Sequence, residues 1–298
     1  MEACLVEDAI WVGTKEGSHV VIYAAYTRAL VEELRVRHDT WPVVTAAMGR
    51  VATLAAMMTM SLKNPEHQIT LQVQGDGPIG KVYMVATGEG TVRGYVNEPH
   101  VELPLNALGK LAVGAAVGQE GYVSVMRDLG LKEPYQGSVP LVSGEIGEDF
   151  TYYFAVSEQV PTAVAVGVLV ERDYSVRAAG GLMIHILPGA SDAEIAAVEA
   201  GVAELPNVTT LLDAGESPQQ IAARVMGDGV HWTEQRSVRF ACTCNRARLE
   251  QVLLALGREE LEAMIEEQGE AELVCHFCGE RYDFSETELR GLRDAALH

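Results

Sequence analysis

Apolar and polar residues alternate from Ile69 to Gln74, the period of a half-buried strand, and Lys81–Thr87 reads as another strand after a glycine-rich turn. Val92–Val96 and Tyr122–Met126 look similar, and the apolar runs Tyr152–Val156 and Val164–Val170 predict further short strands. Helical spacing appears from Thr27 to Arg37 and again from Pro42 to Leu62, where the proline suits a first helical turn. Strands come in runs separated by turns, not in regular alternation with helices, so the pattern predicts an α+β fold.

The segment from Pro42 to Leu62 has the length and hydrophobicity of a membrane span, with Val43, Val44, Leu54, Met57, Met58, Met60 and Leu62 along it. Arg50 near its middle opposes insertion by roughly 2.5–3.5 kcal/mol, and Thr45, Gly49, Thr53 and Thr59 dilute the run further. It reads as a buried helix. From Ser191 the texture changes to short, separately capped helices. Ser191 and Glu194 form a capping box ahead of Ile195, Val198, Val202 and Leu205, and Pro206 ends that helix. Ser217, Pro218 and Gln220 open another, with Ile221 and Val225 apolar and Gly227 as its C-cap. Helices of about three turns persist only when packed, so this region is expected to be stable only while docked.

Composition then narrows the function. The 298 residues carry 42 acidic and 22 Lys or Arg side chains, a formal charge of 22 − 42 = −20, with 48% hydrophobic residues and a mean hydropathy of +0.08. That is ample for a core and argues against disorder, and the length suggests about two domains. The acidity argues against nucleic acid and against an anionic membrane surface as partners. Glu2, Glu7 and Asp8 stand where an export signal would be basic, so a reducing cytoplasm is expected. From Ser191 onward there are 21 acids and 9 arginines, a balance of 9 − 21 = −12, and four of the five cysteines.

Gly75-Asp76-Gly77-Pro78-Ile79-Gly80 matches the GxGxxG string of dinucleotide sites, but that motif needs a helix behind the loop. A strand follows here, so the string reads as a turn. Ser143 lacks the flanking glycines of a nucleophile elbow. Glu145, Glu148 and Asp149 read as an acidic turn and His185 as a core residue, so no enzyme is supported.

Cys242, Cys244, Cys275 and Cys278 are the informative residues. Two short pairs separated by 30 residues supply four thiolates, the donor set of a tetrahedral structural zinc. The second pair has the knuckle form Cys-x-x-Cys-Gly, with Tyr282 and Phe284 on a returning strand. The first, with one residue between its cysteines, is tight for two ligands and tight for a disulfide. Three readings stand: a static zinc clip, permanent disulfides (disfavoured in a cytosolic chain), and a redox switch in which the metal ligands are the sensor. Arg246 and Arg248 beside Cys244 are expected to favour its anion. Losing zinc removes roughly 10–16 kcal/mol of apparent binding energy, which a small domain does not survive.

These residues bring a family into view. The chain resembles the thirty-three-kilodalton redox-regulated heat-shock chaperones of bacteria. The resemblance is carried by Thr40-Trp41-Pro42, by 77–80 and 92–96, by Val142 through Phe154, by Ala178 through Gly181, by Val238 through Cys244, and by Val274 through Cys278. Cys4 is extra to it and reads as an ordinary small residue. The resemblance implies an ATP-independent holdase in three parts: a client-binding core at 1–180, a conditionally stable helical linker at 181–232, and a zinc-binding redox-switch domain at 233–298. It implies that reduced Cys242, Cys244, Cys275 and Cys278 bind one zinc in an inactive monomer. Oxidation is implied to pair Cys242 with Cys244 and Cys275 with Cys278, release the metal, unfold the linker and expose apolar surface to unfolding client proteins, with dimerisation on activation. Met57, Met58 and Met60 read as core residues, with a client surface as their alternative. The rival of a different class is a zinc-clipped interaction or regulatory module without redox switching. The acidic tail is read as built to come apart once zinc leaves and then to keep the open protein soluble.

Overall fold

The computed structural model describes residues 7–296; Cys4 and Glu2 lie outside them. In chain order the first elements are β1 (Ala9–Thr14), β2 (Val20–Tyr26), α1 (Arg28–His38) and α2 (Pro42–Met58), which tightens into a 3-10 turn at Thr59–Ser61. There follow β3 (Gln68–Gln74), β4 (Lys81–Thr87), β5 (Thr91–Val96), α3 (Val113–Val117), β6 (Tyr122–Asp128), β7 (Tyr135–Pro140) and α4 (Gly147–Tyr153). Next come β8 (Thr162–Val170), β9 (Val176–Ile186), α5 (Asp192–Glu204), α6 (Val208–Asp213), α7 (Pro218–Met226), β10 (His231–Ser237) and β11 (Arg239–Phe240). The last are α8 (Arg246–Leu256), α9 (Arg258–Glu267), β12 (Glu270–Val274), β13 (Arg281–Ser285) and α10 (Glu286–Ala295). The chain divides into two units, 1–241 and 242–298, and the mixture of sheet and helix is the α+β arrangement expected.

In the first unit, strands in the order β10-β1-β2-β9-β8 make one sheet and β11-β5-β4-β3-β6-β7 make another. α2 lies between them. A helix that is apolar all round must be buried all round: Val44, Val51, Leu54 and Met57 share one core with Val168 and Met183 of the first sheet and Leu71, Met84 and Val92 of the second. Pro42–Ser61 has a membrane span's length and hydropathy, and it is spent inside this core, Met57, Met58 and Met60 included. Arg50 leaves the core at one point, where its guanidinium donates to the Glu145 carboxylate at 2.8 Å and to the Glu145 carbonyl at 3.0 Å.

The apolar run at 152–156 departs from its strand reading. It is helical, the end of α4 followed by a π-helical turn at Phe154–Glu158. Phe150, Tyr153 and Phe154 are buried whereas Tyr152 and Val156 are exposed, a spacing of three and four that belongs to a helix. The fully buried Asp149 carboxylate starts that helix by accepting the backbone N–H groups of Val142, Ser143, Gly144 and Ile146 at 2.8–3.2 Å. The acidic cluster is therefore a cap, with Glu145 committed to Arg50. The GxGxxG string turns β3 into β4, and Gly80 supplies the positive φ of +66° that the turn requires. His185 packs edge-on to Tyr23 and Phe154 and shares a 2.7 Å hydrogen bond with Thr162 Oγ1, and burial holds its pKa down to about 4.

The outer face of the first sheet carries Val20, Ile22 and Ala24 of β2 with Ala178, Leu182 and Ile184 of β9. Over it lie Val198 of α5, Leu211 and Leu212 of α6, and Ile221, Ala222 and Val225 of α7. Gly180 permits the fit, because a Cβ there would come within 2.3 Å of the Ala25 carbonyl and 2.9 Å of Leu212. The predicted capping box forms at Ser191 with Glu194, and a second closes the predicted helix start at Ser217 with Gln220. β9 runs through Ile186 and β10 pairs with β1, so the chain on both sides of α5–α7 is strand-bonded.

Candidate metal centre

The C-terminal unit has little of its own to hold it. Its core is Leu253, Leu261, Ile265, Phe284 and Leu289, under a two-stranded sheet of β12 and β13. A core this small does not normally hold a unit of this length without a staple. The four cysteines sit where a staple acts. Cys242 and Cys244 lie in the extended segment before α8, whose start Asn245 fixes by accepting the Arg248 N–H at 2.9 Å. Cys275 and Cys278 lie in the β12–β13 turn, closed by Gly279 N–H to the Cys275 carbonyl at 2.8 Å and Cys275 N–H to the Glu280 carbonyl at 2.9 Å. Gly279 takes the left-handed conformation that the knuckle needs, φ +71°.

The two segments bring four sulfurs within 4.8 Å of one another, and none is in a disulfide. Cys242 and Cys275 are 3.8 Å apart and Cys244 and Cys278 3.2 Å. Zinc–sulfur bonds of about 2.3 Å in a tetrahedron put sulfurs about 3.8 Å apart, so the donor set and its spacing fit a zinc ion, and these four residues could hold one. The backbone N–H of Cys244 donates to Cys242, and that of Glu280 donates to Cys278. Burial pushes the Cys242 and Cys278 thiols above their ordinary value. Burial also raises Cys244, but hydrogen bonds from the Tyr282 hydroxyl and the neighbouring thiols outweigh it and hold Cys244 below the ordinary value.

All four cysteines singled out in the sequence are thus together. The arginines expected to support the Cys244 anion do something else. Arg246 donates to the Asp283 carbonyl and the Glu288 carboxylate and stacks over Phe284 at 4.4 Å, and Arg248 donates to Thr243 Oγ1 at 3.0 Å. Both guanidiniums are engaged with groups other than a sulfur, and the Arg248 partner Thr243 lies between Cys242 and Cys244. The hydroxyl within hydrogen-bond reach of the Cys244 sulfur is that of Tyr282, 3.4 Å away. The available signal was its place four residues after Cys278, on the strand leaving the knuckle.

Known proteins resemble this chain over most of its length. The family model described as Hsp33 protein matches residues 8–285, which takes in all four cysteines. The 33 kDa chaperonin of Enterococcus faecalis is 48% identical over 276 residues, 92% of each chain. That of Bacillus cereus is 48% identical over 271 residues, 91% of this chain and 93% of its own. Among solved structures, the 33 kDa chaperonin of Thermotoga maritima, an Hsp33 homologue, superposes with a TM-score of 0.92 at 41% identity, covering 97% of this chain and 98% of that one.

Proposed function

The chain belongs to the Hsp33 family and is a chaperone, and on that footing we propose that it is a redox-switched, ATP-independent holdase of the cytoplasm whose switch is Cys242, Cys244, Cys275 and Cys278. The observation that carries the proposal is a four-sulfur cluster in a unit whose core, among the described residues, is five buried apolar side chains with partly buried ones packed on them. A bound zinc ion would hold the sulfurs as thiolates and tie the segment before α8 to the β12–β13 turn.

Oxidation acts on the residues themselves. A disulfide needs its sulfurs about 2.05 Å apart, so any pair drawn together from the present cluster, whose sulfurs lie within 4.8 Å of one another, leaves the four-fold set. Each S–S bond formed from two thiolates gives two electrons to one peroxide, which with two protons becomes two waters. Pairing Cys242 with Cys244 and Cys275 with Cys278 leaves no link between the two segments. Pairing across them would keep the staple. With the staple gone the small unit loses its order, and α5–α7, which persist by docking, are the next layer to loosen. The apolar face of β2 and β9 beneath them then meets unfolding client chains. Activation brings dimerisation, the active chain uses no nucleic acid or membrane, and no enzymatic step is involved.

Peroxide with mild heat, applied to the zinc-loaded protein, tests this. About one zinc per chain should leave, peptide mapping should find Cys242–Cys244 and Cys275–Cys278, and aggregation of an unfolding client should be suppressed. Cross-linked pairs that keep the tail folded, or zinc loss without anti-aggregation activity, would instead favour a static zinc clip.

A further inference from the structure

The sulfurs of the centre do not share one kind of outer partner. Cys242 and Cys278 accept backbone N–H groups, those of Cys244 and Glu280. Such donors are present whatever side chains the sequence carries. Cys244 instead meets the hydroxyl of Tyr282 at 3.4 Å. Tyr282 stands opposite Leu273 in the β12–β13 ladder and packs against the small core of Leu253, Leu261 and Phe284. Its ring is therefore fixed by the same hairpin that presents Cys275 and Cys278, while its hydroxyl reaches the other cysteine pair.

We propose that Tyr282 is a positioning residue for the zinc–thiolate centre: its hydroxyl, 3.4 Å from the Cys244 sulfur, orients that sulfur toward the other three. The proposal rests on the zinc reading above and assigns this side chain a part in it. A charged sulfur is a strong acceptor and a disulfide sulfur a weak one. When Cys244 and Cys242 give two electrons to a peroxide and form their bond, the phenol loses its anionic acceptor, so the hydrogen bond is made only in the reduced state. Outer-layer donors of this kind typically change metal affinity by about 10–100-fold.

Tyr282→Phe in the full chain keeps the ring and removes only the hydroxyl. Zinc should be lost to a competing chelator at about tenfold lower chelator concentration. The thiolate-to-metal charge-transfer band of the cobalt-substituted protein should shift, because one sulfur has lost its hydrogen bond. Peroxide should consume the Cys244 thiol several-fold faster, relative to Cys278, than in the wild type. Leu289→Val, which loosens the same core without approaching a sulfur, should speed all four thiols together and leave the cobalt band in place. If Tyr282→Phe behaves like Leu289→Val, or like the wild type, Tyr282 is a packing residue only and the proposal is overturned while the zinc reading stands. If the wild type holds no zinc against the chelator, both fall.

Discussion

The first unit and the C-terminal unit are held by different physics. In the first, α2 is apolar on every face and two sheets close over it, so one core runs through Val51, Leu54, Met57, Leu71, Met84 and Phe150. In the second, five buried side chains have to order three helices and a hairpin. Charge widens the gap. In α9, Glu262 is paired with Arg293 at 2.8 Å, whereas Glu266 and Glu267 close the last turn, where the partial negative charge of a helix end repels them. One unit is stable through burial, and the other pairs a small core with a four-sulfur cluster that, on the proposed reading, decides whether it is folded. α5–α7 are intermediate, capped and apolar on one face, and ordered by what they cover.

Removing the metal should break the comparison open most widely. Stripping zinc with a strong chelator under reducing conditions takes away roughly 10–16 kcal/mol of apparent binding energy. That equals or exceeds the roughly 5–15 kcal/mol that holds an ordinary domain together. Hydrogen exchange should then show α8–α10 and the β12–β13 hairpin losing protection by orders of magnitude, while α2, β3 and β4 keep theirs. A C-terminal unit that stays protected without metal would mean that its five-residue core suffices and that the sulfurs are incidental.

The sequence carried these two regimes unequally. β3 to β6 and both early helices are legible within a residue or two, because elements with one face or all faces buried show their period directly, and the cysteine spacing names a metal donor set. β10 is not legible: His231–Ser237 is mostly exposed, carries Glu234 and Arg236, and has no apolar alternation, and its partner β1 lies more than two hundred residues away. The stretch 152–156 reads as strand until one knows which of its residues are buried, since a short apolar run has no period of its own. Arg246 and Arg248 show the same limit at the site. Nearness in sequence put them beside Cys244, but their hydrogen bonds go to Asp283, Glu288 and Thr243, and the hydroxyl that meets the Cys244 sulfur is that of Tyr282 on β13.

Acidity offers a smaller effect confined to the first unit. Asp8 is nearly fully buried, and burial raises its pKa from 3.8 to about 6, although its carboxylate accepts the N–H groups of Leu30 and Ala29 at 2.6 and 3.1 Å and Arg28 is near. The ionised form is the costly one in the fold. This group therefore adds most stability below about pH 4, and the contribution is lost as pH rises through about 6. The swing is about 3 kcal/mol, since each tenfold change in proton affinity is worth about 1.4 kcal/mol. Denaturant unfolding of the first unit between pH 4.5 and 7.5 should lose that component of its slope in Asp8→Asn. An unchanged slope in the variant would assign the pH dependence elsewhere.

The smallest effect tests the intermediate layer. Ser217 Oγ accepts the Gln220 N–H at 3.2 Å, and Gln220 returns the contact to the Ser217 N–H at 2.8 Å, closing the first turn of α7. Ser217→Ala should cost about 1 kcal/mol. If α7 opens as part of a separate cover, its amides and those of α5 and α6 should exchange about fivefold faster in the reduced protein. The amides of β3, β4 and α2 should not change, because they open only with the whole unit. Since Ile221 and Ala222 are fully buried on the β2–β9 face, faster exchange confined to this layer means that the apolar sheet is uncovered more often before any cysteine is oxidised. The same variant should then suppress client aggregation slightly without peroxide. Equal acceleration across the first unit would make α5–α7 part of one cooperative core, and the division of the molecule would fall between two regimes with nothing in between.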